Sequence, residues 1–261
     1  MTRLLFPLAA ALFAVSAGPV AAHYNMLLLD KHSVKKDEEV TLTYQWGHPF
    51  EHQLFDAPAP EKLTVRAPDG EKTDLTKSLE KTTVPAAEGK KVTAYQLKFT
   101  PQQRGDYVFV LQTPPIWMEE EEEFFQDAVK VVLHVQAQKG WDASVVGVEL
   151  TPLTRPYGLQ PGMVFQVRDE GIAGDRGLTR RREALVEVEH YNAAPPKELP
   201  PDEQITRTAK TDANGVATCT LTDAGWWAIT DLHDRDVRQR EGKSYLLKRR
   251  LTFWVFVDER R

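Results

Sequence analysis

The residues of this chain whose types and spacing suit chemistry are histidines and carboxylates grouped as ligands for a metal ion. Gly47-His48-Pro49-Phe50-Glu51-His52 places three side-chain donors within five positions. Pro49 holds His48 extended, and a helical turn starting at Pro49 would bring residues 48 and 52 to one side. A further donor is expected at the chain start. Arg3 precedes an apolar stretch from Leu4 to Ala17, then come the helix-ending pair Gly18-Pro19 and Val20-Ala21-Ala22. This is the pattern of a secretory signal cleaved after Ala22, and the stretch falls short of the ~20 residues a spanning helix needs. Cleavage would make His23 the first residue, with an α-amine whose pKa of about 7.7 to 8.0 leaves part of it neutral at pH 7. Amine and Nδ1 of His23 could then close a chelate ring on one ion, a pair preorganised before binding. With His48, Glu51 and His52 the donor set suits Ni²⁺, Co²⁺, Cu²⁺ or Zn²⁺. The plainer readings are a histidine exposed by coincidence, a His48 that caps a turn, and a solvated Glu51 and His52.

Strand parity sorts the other histidines. His134 shares a face with Lys130 and Gln136, opposite Val129, Val131, Leu133 and Val135, and is expected to be exposed. His190 continues the apolar face of Val186 and Val188 and reads as a core-edge residue satisfied by backbone. His32 and His233 sit among charges and read as surface. Trp226 and Trp227 read as core fillers, one of which is expected to face outward from its strand. No hydrolase elbow, phosphate-binding glycine loop or His-Glu-x-x-His helix is present in the sequence.

The elements that must hold these groups are strands. Alternation with period two runs through 40–44, 63–66, 93–99, 107–111 and 129–135, with turn residues at Pro68-Asp69-Gly70, Glu88-Gly89 and Arg104-Gly105-Asp106. A second series covers 145–150, 163–167, 185–191, 206–210, 216–221, 226–230 and 246–257, with Asn214-Gly215 as a tight hairpin turn. The loop 192–201 holds four prolines and cannot lie inside a sheet. Region 119–128 opens with five glutamates that repel at helical spacing, and reads as a solvated loop with one helical turn; the alternative is a patch that binds Ca²⁺ or Mg²⁺ only loosely. The fold expected is all-β: two immunoglobulin-like or transthyretin-like β-sandwich domains in tandem. Residues 1–22 are assigned to the signal, 23–140 to a first sandwich carrying the metal site and 141–261 to a second.

The formal net charge of −5 becomes about −6 without Arg3, which argues against a nucleic-acid or anionic-membrane partner. Cys219 is the single cysteine, so stability must come from packed cores rather than a disulfide. It reads as a small strand residue.

The order of Ala22-His23, Gly47-His48-Pro49-Phe50-Glu51, Ala67-Pro68-Asp69-Gly70, Arg155-Pro156-Tyr157-Gly158-Leu159-Gln160-Pro161-Gly162, Thr211-Asp212-Ala213-Asn214-Gly215 and Gly225-Trp226-Trp227 resembles a bacterial family of unknown function. Its members are commonly labelled periplasmic components of cobalt or nickel transport systems. The second half also resembles the transthyretin-like regulatory modules of carboxypeptidases. The first resemblance implies transition-metal handling, carried to His23, His48 and Glu51 with His52 adjacent. Asn25 stands at the third mature position, so the chelate expected is the amine-imidazole type of copper-binding periplasmic sandwiches rather than a backbone-amide nickel site.

These readings converge on an exported, periplasmic, non-catalytic protein that binds a transition-metal ion and delivers it to a membrane uptake system, with no membrane insertion after cleavage. Two rivals remain. One is a metal-free envelope scaffold or glycan-binding protein, in which Trp117 and Trp226 or Trp227 would form a flat aromatic strip. The other is a copper-dependent oxidase with an N-terminal histidine brace.

Overall fold

The computed structural model describes residues 23–260 except 120, 148 and 173–177. The proposed signal, 1–22, lies outside the described residues. Among the described residues nineteen strands, numbered in chain order, form three sheets. The first sheet runs β1 (Tyr24–Leu29), β3 (Val40–His48), β8 (Lys91–Phe99) and β7 (Glu80–Pro85), with β4 (Gln53–Phe55) paired to β3.

The second sheet has ten strands. Its path begins with β16 (Thr206–Lys210), β15 (Leu185–His190), β18 (Gly225–Arg240) and β19 (Lys243–Val257). It continues through β11 (Glu123–Val135), β9 (Gly105–Gln112), β5 (Lys62–Arg66) and β6 (Lys72–Asp74). The short β2 (Ser33–Val34) and β10 (Ile116–Met118) attach to β11. The third sheet joins β12 (Leu150–Pro152), β13 (Met163–Ile172) and β14 (Leu178–Arg180), with β17 (Val216–Leu221) on β13.

The all-β sandwich expectation holds, and the strands fall largely where alternation places them. The boundary near residue 140 does not divide the sheets, however. β11 from the first half pairs in parallel with β19 from the second, from Phe124↔Leu247 to Val131↔Trp254. The ten-stranded sheet is therefore shared by both halves and forms the middle of three layers. One of its faces, with Tyr107, Phe109, Leu111, Val129, Val131 and Leu133, packs on Leu27, Leu42 and Tyr44 of the first sheet. Its other face, with Val108, Val110, Val132, Ile229, Phe253 and Val255, packs on Phe165, Val167, Ala217 and Leu221 of the third. Two apolar layers on one sheet each bury area at roughly 25 cal/mol per Å².

Burial on both faces explains four departures from the sequence reading. Trp226 and Trp227 are both buried, one in each core, because neither face of β18 meets water there. His134 is covered rather than exposed: its Nδ1 lies 2.7 Å from Asp106 Oδ1, and its ring stacks on Tyr157 with centroids 3.8 Å apart. Lys130, on the same polar face, is buried against Glu149 at 3.2 Å. His233 is buried as well, 2.6 Å from Asp231 and 3.1 Å from Asp169.

In the glutamate-rich region Glu119, Glu121 and Glu122 lie in the turn between β10 and β11, whereas 123–128 is strand rather than a helical turn. Lys248 and Arg250 of β19 pair with Glu123 at 2.6 Å and Asp127 at 2.7 Å, so cross-strand neutralisation replaces the repulsion that a helix would concentrate. Residues 145–147 and 149 are irregular, and β12 begins at Leu150. His190 does sit at a core edge with its Nε2 2.9 Å from the Ala224 carbonyl oxygen, and Cys219 is buried within β17. His32 stacks on Phe256 and lies 3.3 Å from Asp258.

Candidate metal centre

The antiparallel pairing of β1 and β3 builds the site. Its register, Tyr24↔Gly47 and Asn25↔Trp46, sets His23 opposite His48 one step beyond the ladder. Side chains of directly opposed residues lie within contact distance, and the two imidazole centroids are 4.5 Å apart, edge to face at 67°. The start of β1 is pinned in that register. Tyr44 Oη donates to Asn25 Oδ1 at 2.6 Å, and Trp254 Nε1 donates to the Asn25 carbonyl at 3.1 Å.

Aromatic rings wall the pair. Trp46 and Phe55 lie 5.4 and 5.3 Å from the His23 ring, and Phe55 lies 5.4 Å from His48. A cleft of about 610 Å³, lined by His23, Trp46, Gln53, Phe55 and Lys90 among others, leads to the site. Gly47 permits the tight return of β4, because a Cβ there would fall 2.1 Å from the Gln53 carbonyl oxygen.

Electrostatics favour a neutral ligand. Burial, then the charges of His48 and Arg250, push the His23 imidazole down to about 4. At neutral pH the ring therefore carries no proton that a cation must displace. Its Nδ1 is buried without a hydrogen-bond partner, an arrangement that costs stability unless something else uses the lone pair. Nδ1 is the atom that could chelate together with the α-amine that cleavage would release.

Of the four ligands expected from sequence, the structure brings His23 and His48 together and places the others elsewhere. His52 donates from Nδ1 to the Asn192 carbonyl at 2.9 Å and leans on Tyr191, lining a cleft with Gln45 and Leu28. Gln45 and Trp46 are neighbours in β3, so their side chains leave opposite faces of the sheet. Glu51 is half-buried, with its charge felt by Glu189.

The turn that follows His48 is instead clasped by the second half of the chain, which sequence reasoning missed. Asn192 donates from its backbone N–H to Pro49 O at 3.0 Å and from Nδ2 to Phe50 O at 2.6 Å. Glu189 Oε1 accepts from the Phe50 N–H at 3.3 Å, and its Oε2 accepts from Thr206 Oγ1 at 2.6 Å. No local signal could have found this, since the partners lie about 140 residues apart.

Burial first, with the Glu51 and Glu187 carboxylates adding to it, pushes Glu189 up to about 7. Between the ordinary value of 4.5 and about 7, the unfolded chain releases this proton while the folded chain keeps it. Folding stability contributed by Glu189 is thus present at low pH and lost as pH rises, by about 3 kcal/mol across that window. Glu189→Gln should remove this slope. Urea unfolding at pH 4.5 and pH 8 is expected to show the variant gaining on the native protein at the higher pH, and parallel behaviour would contradict the assignment.

A family model for a domain of unknown function, DUF4198, matches residues 20–235. The chain belongs to this family. No curated protein matches the DUF4198 chain. Among solved structures it is similar to a candidate carbohydrate-binding protein of Pseudomonas aeruginosa, at 17% identity over 39% of this chain and 86% of that one, with a TM-score of 0.27. A Salmonella alpha-2-macroglobulin reacted with methylamine aligns at 15% identity over 94% of this chain but 15% of its own length, with a TM-score of 0.28. The major pilin subunit of Bacillus cereus aligns at 11% identity over 92% of this chain and 69% of its own, with a TM-score of 0.22. Among the described residues, no helix is long and apolar enough to cross a membrane.

Proposed function

We propose that this protein captures a divalent transition-metal ion in the periplasm through the His23 amine and imidazole and the His48 imidazole, and delivers it to a membrane uptake system. The observation that carries the reading is the 4.5 Å approach of the His23 and His48 rings at the point where signal cleavage would free an amine. The buried, unpartnered Nδ1 of a neutral His23 ring supports it. Three nitrogen donors suit Cu²⁺ best among the candidate ions, with Ni²⁺, Co²⁺ and Zn²⁺ weaker in the usual order of divalent affinities. Glu51 and His52 fall outside this ligand set. The glycan alternative loses its aromatic strip, because Trp226 and Trp227 are buried and Arg240 lies 4.3 Å over the Trp117 ring.

Calorimetric titration of the protein beginning at His23 against the same protein with that α-amine acetylated tests the terminal chelate. Without the free amine the protein should bind Cu²⁺ at least about 100-fold more weakly, since the chelate ring is lost and only the His23 and His48 imidazoles remain. Equal affinities would remove the amine from the site. A copper-dependent oxidase with a histidine brace would draw on the same two histidines, and sustained turnover with Cu²⁺ and a reductant would favour that reading over simple carriage.

A further inference from the structure

We propose that Asp169, Asp231 and His233 form a second divalent-cation site, independent of His23 and His48, in which the Arg181 guanidinium holds the place of the cation's charge. Asp169 belongs to β13 of the third sheet, whereas Asp231 and His233 lie two residues apart on β18 and so share one face of the middle sheet. Their ligand atoms all fall within 4.8 Å of one another. His233 Nε2 lies 3.1 Å from Asp169 Oδ1 and 2.6 Å from Asp231 Oδ2.

These approaches are short enough for ionic pairing, yet His233 Nε2 and Asp169 Oδ1 do not meet the angles of a regular hydrogen bond. His233 Nε2 and Asp169 Oδ1 are both buried without a hydrogen-bond partner, although oxygen and nitrogen are close enough to share one. Distance is satisfied and direction is not, so the oxygens stand beside the axis of the ring nitrogen rather than along it. Ligands of one ion are arranged this way: at about 2.0 to 2.2 Å from a common centre they are about 3 Å apart and aim at the ion, not at each other.

Burial strengthens the requirement for a cation. Asp169 is wholly buried and Asp231 nearly so, and two carboxylates in that environment repel unless positive charge lies between them. Arg181 supplies it in this structure. Its Nη1 contacts Asp231 Oδ2 and lies 3.2 Å from Asp169 Oδ2, and its Nη2 donates to Leu232 O at 3.2 Å. Unlike the three ligands, the Arg181 side chain is 31% exposed, so it can withdraw to water. Gly171 leaves it space, since a Cβ there would fall 2.9 Å from Arg181 Cδ and 3.5 Å from His233 Cε1. Two carboxylate oxygens and one imidazole suit Zn²⁺ or Mn²⁺ better than the soft-ligand metals.

The test uses the full mature protein carrying His23→Ala and His48→Ala, which removes both imidazoles of the first site, with Zn²⁺ and Mn²⁺ as probes in calorimetry and thermal unfolding. One Zn²⁺ per chain is expected, and adding Asp231→Asn should abolish it. Arg181→Gln should tighten binding by about tenfold, the factor that corresponds to losing one competing, partly exposed ion pair, and Zn²⁺ should restore the Tm that this variant loses. A purely structural ion cluster makes the opposite forecast: Arg181→Gln lowers Tm and metal does not restore it. Absence of Zn²⁺ binding both with and without Arg181→Gln would overturn the site, and equal affinity in the two would overturn the role given to Arg181. Failure of the His23 chelate in its own experiment leaves either outcome readable.

Discussion

His48→Ala should raise the Kd for Cu²⁺ by at least about 100-fold, because outer-shell partners alone are worth 10- to 100-fold and His48 would be a direct ligand. The substitution removes one of three proposed nitrogens while leaving the β1–β3 ladder, whose bonds are backbone, in place. His52→Ala provides the contrast. Its imidazole is committed to the Asn192 carbonyl and lines a different cleft, so its loss should change Cu²⁺ affinity by less than about threefold, within the half-unit scale of a substitution remote from a site. Competition against a chelator of known affinity measures both. Comparable losses in the two variants would show that the metal lies on the other face of β3, and no loss in His48→Ala would remove the site altogether.

Gly47→Ala should be the most damaging single methyl in the first sheet. The added carbon would lie 2.1 Å from the Gln53 carbonyl oxygen and 2.8 Å from Leu54 Cα, both backbone atoms that no rotamer change can clear, at a φ of +150°. Strand β4 must then shift, taking Phe55 from the wall beside His23 and His48. A cost of about 3 kcal/mol is expected for this combination of close approach and unfavourable φ, or about 6 to 12 °C in Tm for a chain of this size. Gly89→Ala isolates the conformational part. Its φ is +71° with nothing within 4 Å of the added carbon, so its cost should stay near 1 kcal/mol. Thermal unfolding of the two variants side by side checks the difference, and equal melting temperatures would mean that β4 can retreat freely. Since Gly47 touches no ion, Gly47→Ala should also weaken Cu²⁺ binding only through the displaced wall, and less than His48→Ala does.

Period-two alternation and turn chemistry, which act within a few residues, were enough to locate most strands, the hairpin at Asn214-Gly215 and the core role of Cys219. They also singled out His23 and His48 by type and by position. Partnership across the chain was beyond their reach. Whether the imidazoles at 23 and 48 would meet depended on the register of β1 against β3, which is fixed by Asn25, Tyr44 and Trp254, the last 229 residues away from Asn25. Parity correctly separated Lys130 and His134 from their apolar neighbours, but it could not reveal that a third sheet covers that face. The same covering sheet buries Trp227 and encloses Asp231 and His233, the latter a residue that local charge had marked as surface. A single strand's pattern records which of its faces is apolar. It carries no information about what else packs there, because the free energy of that burial belongs to segments far apart in sequence, and only their assembly into three layers decides which polar groups lose water and must find one another.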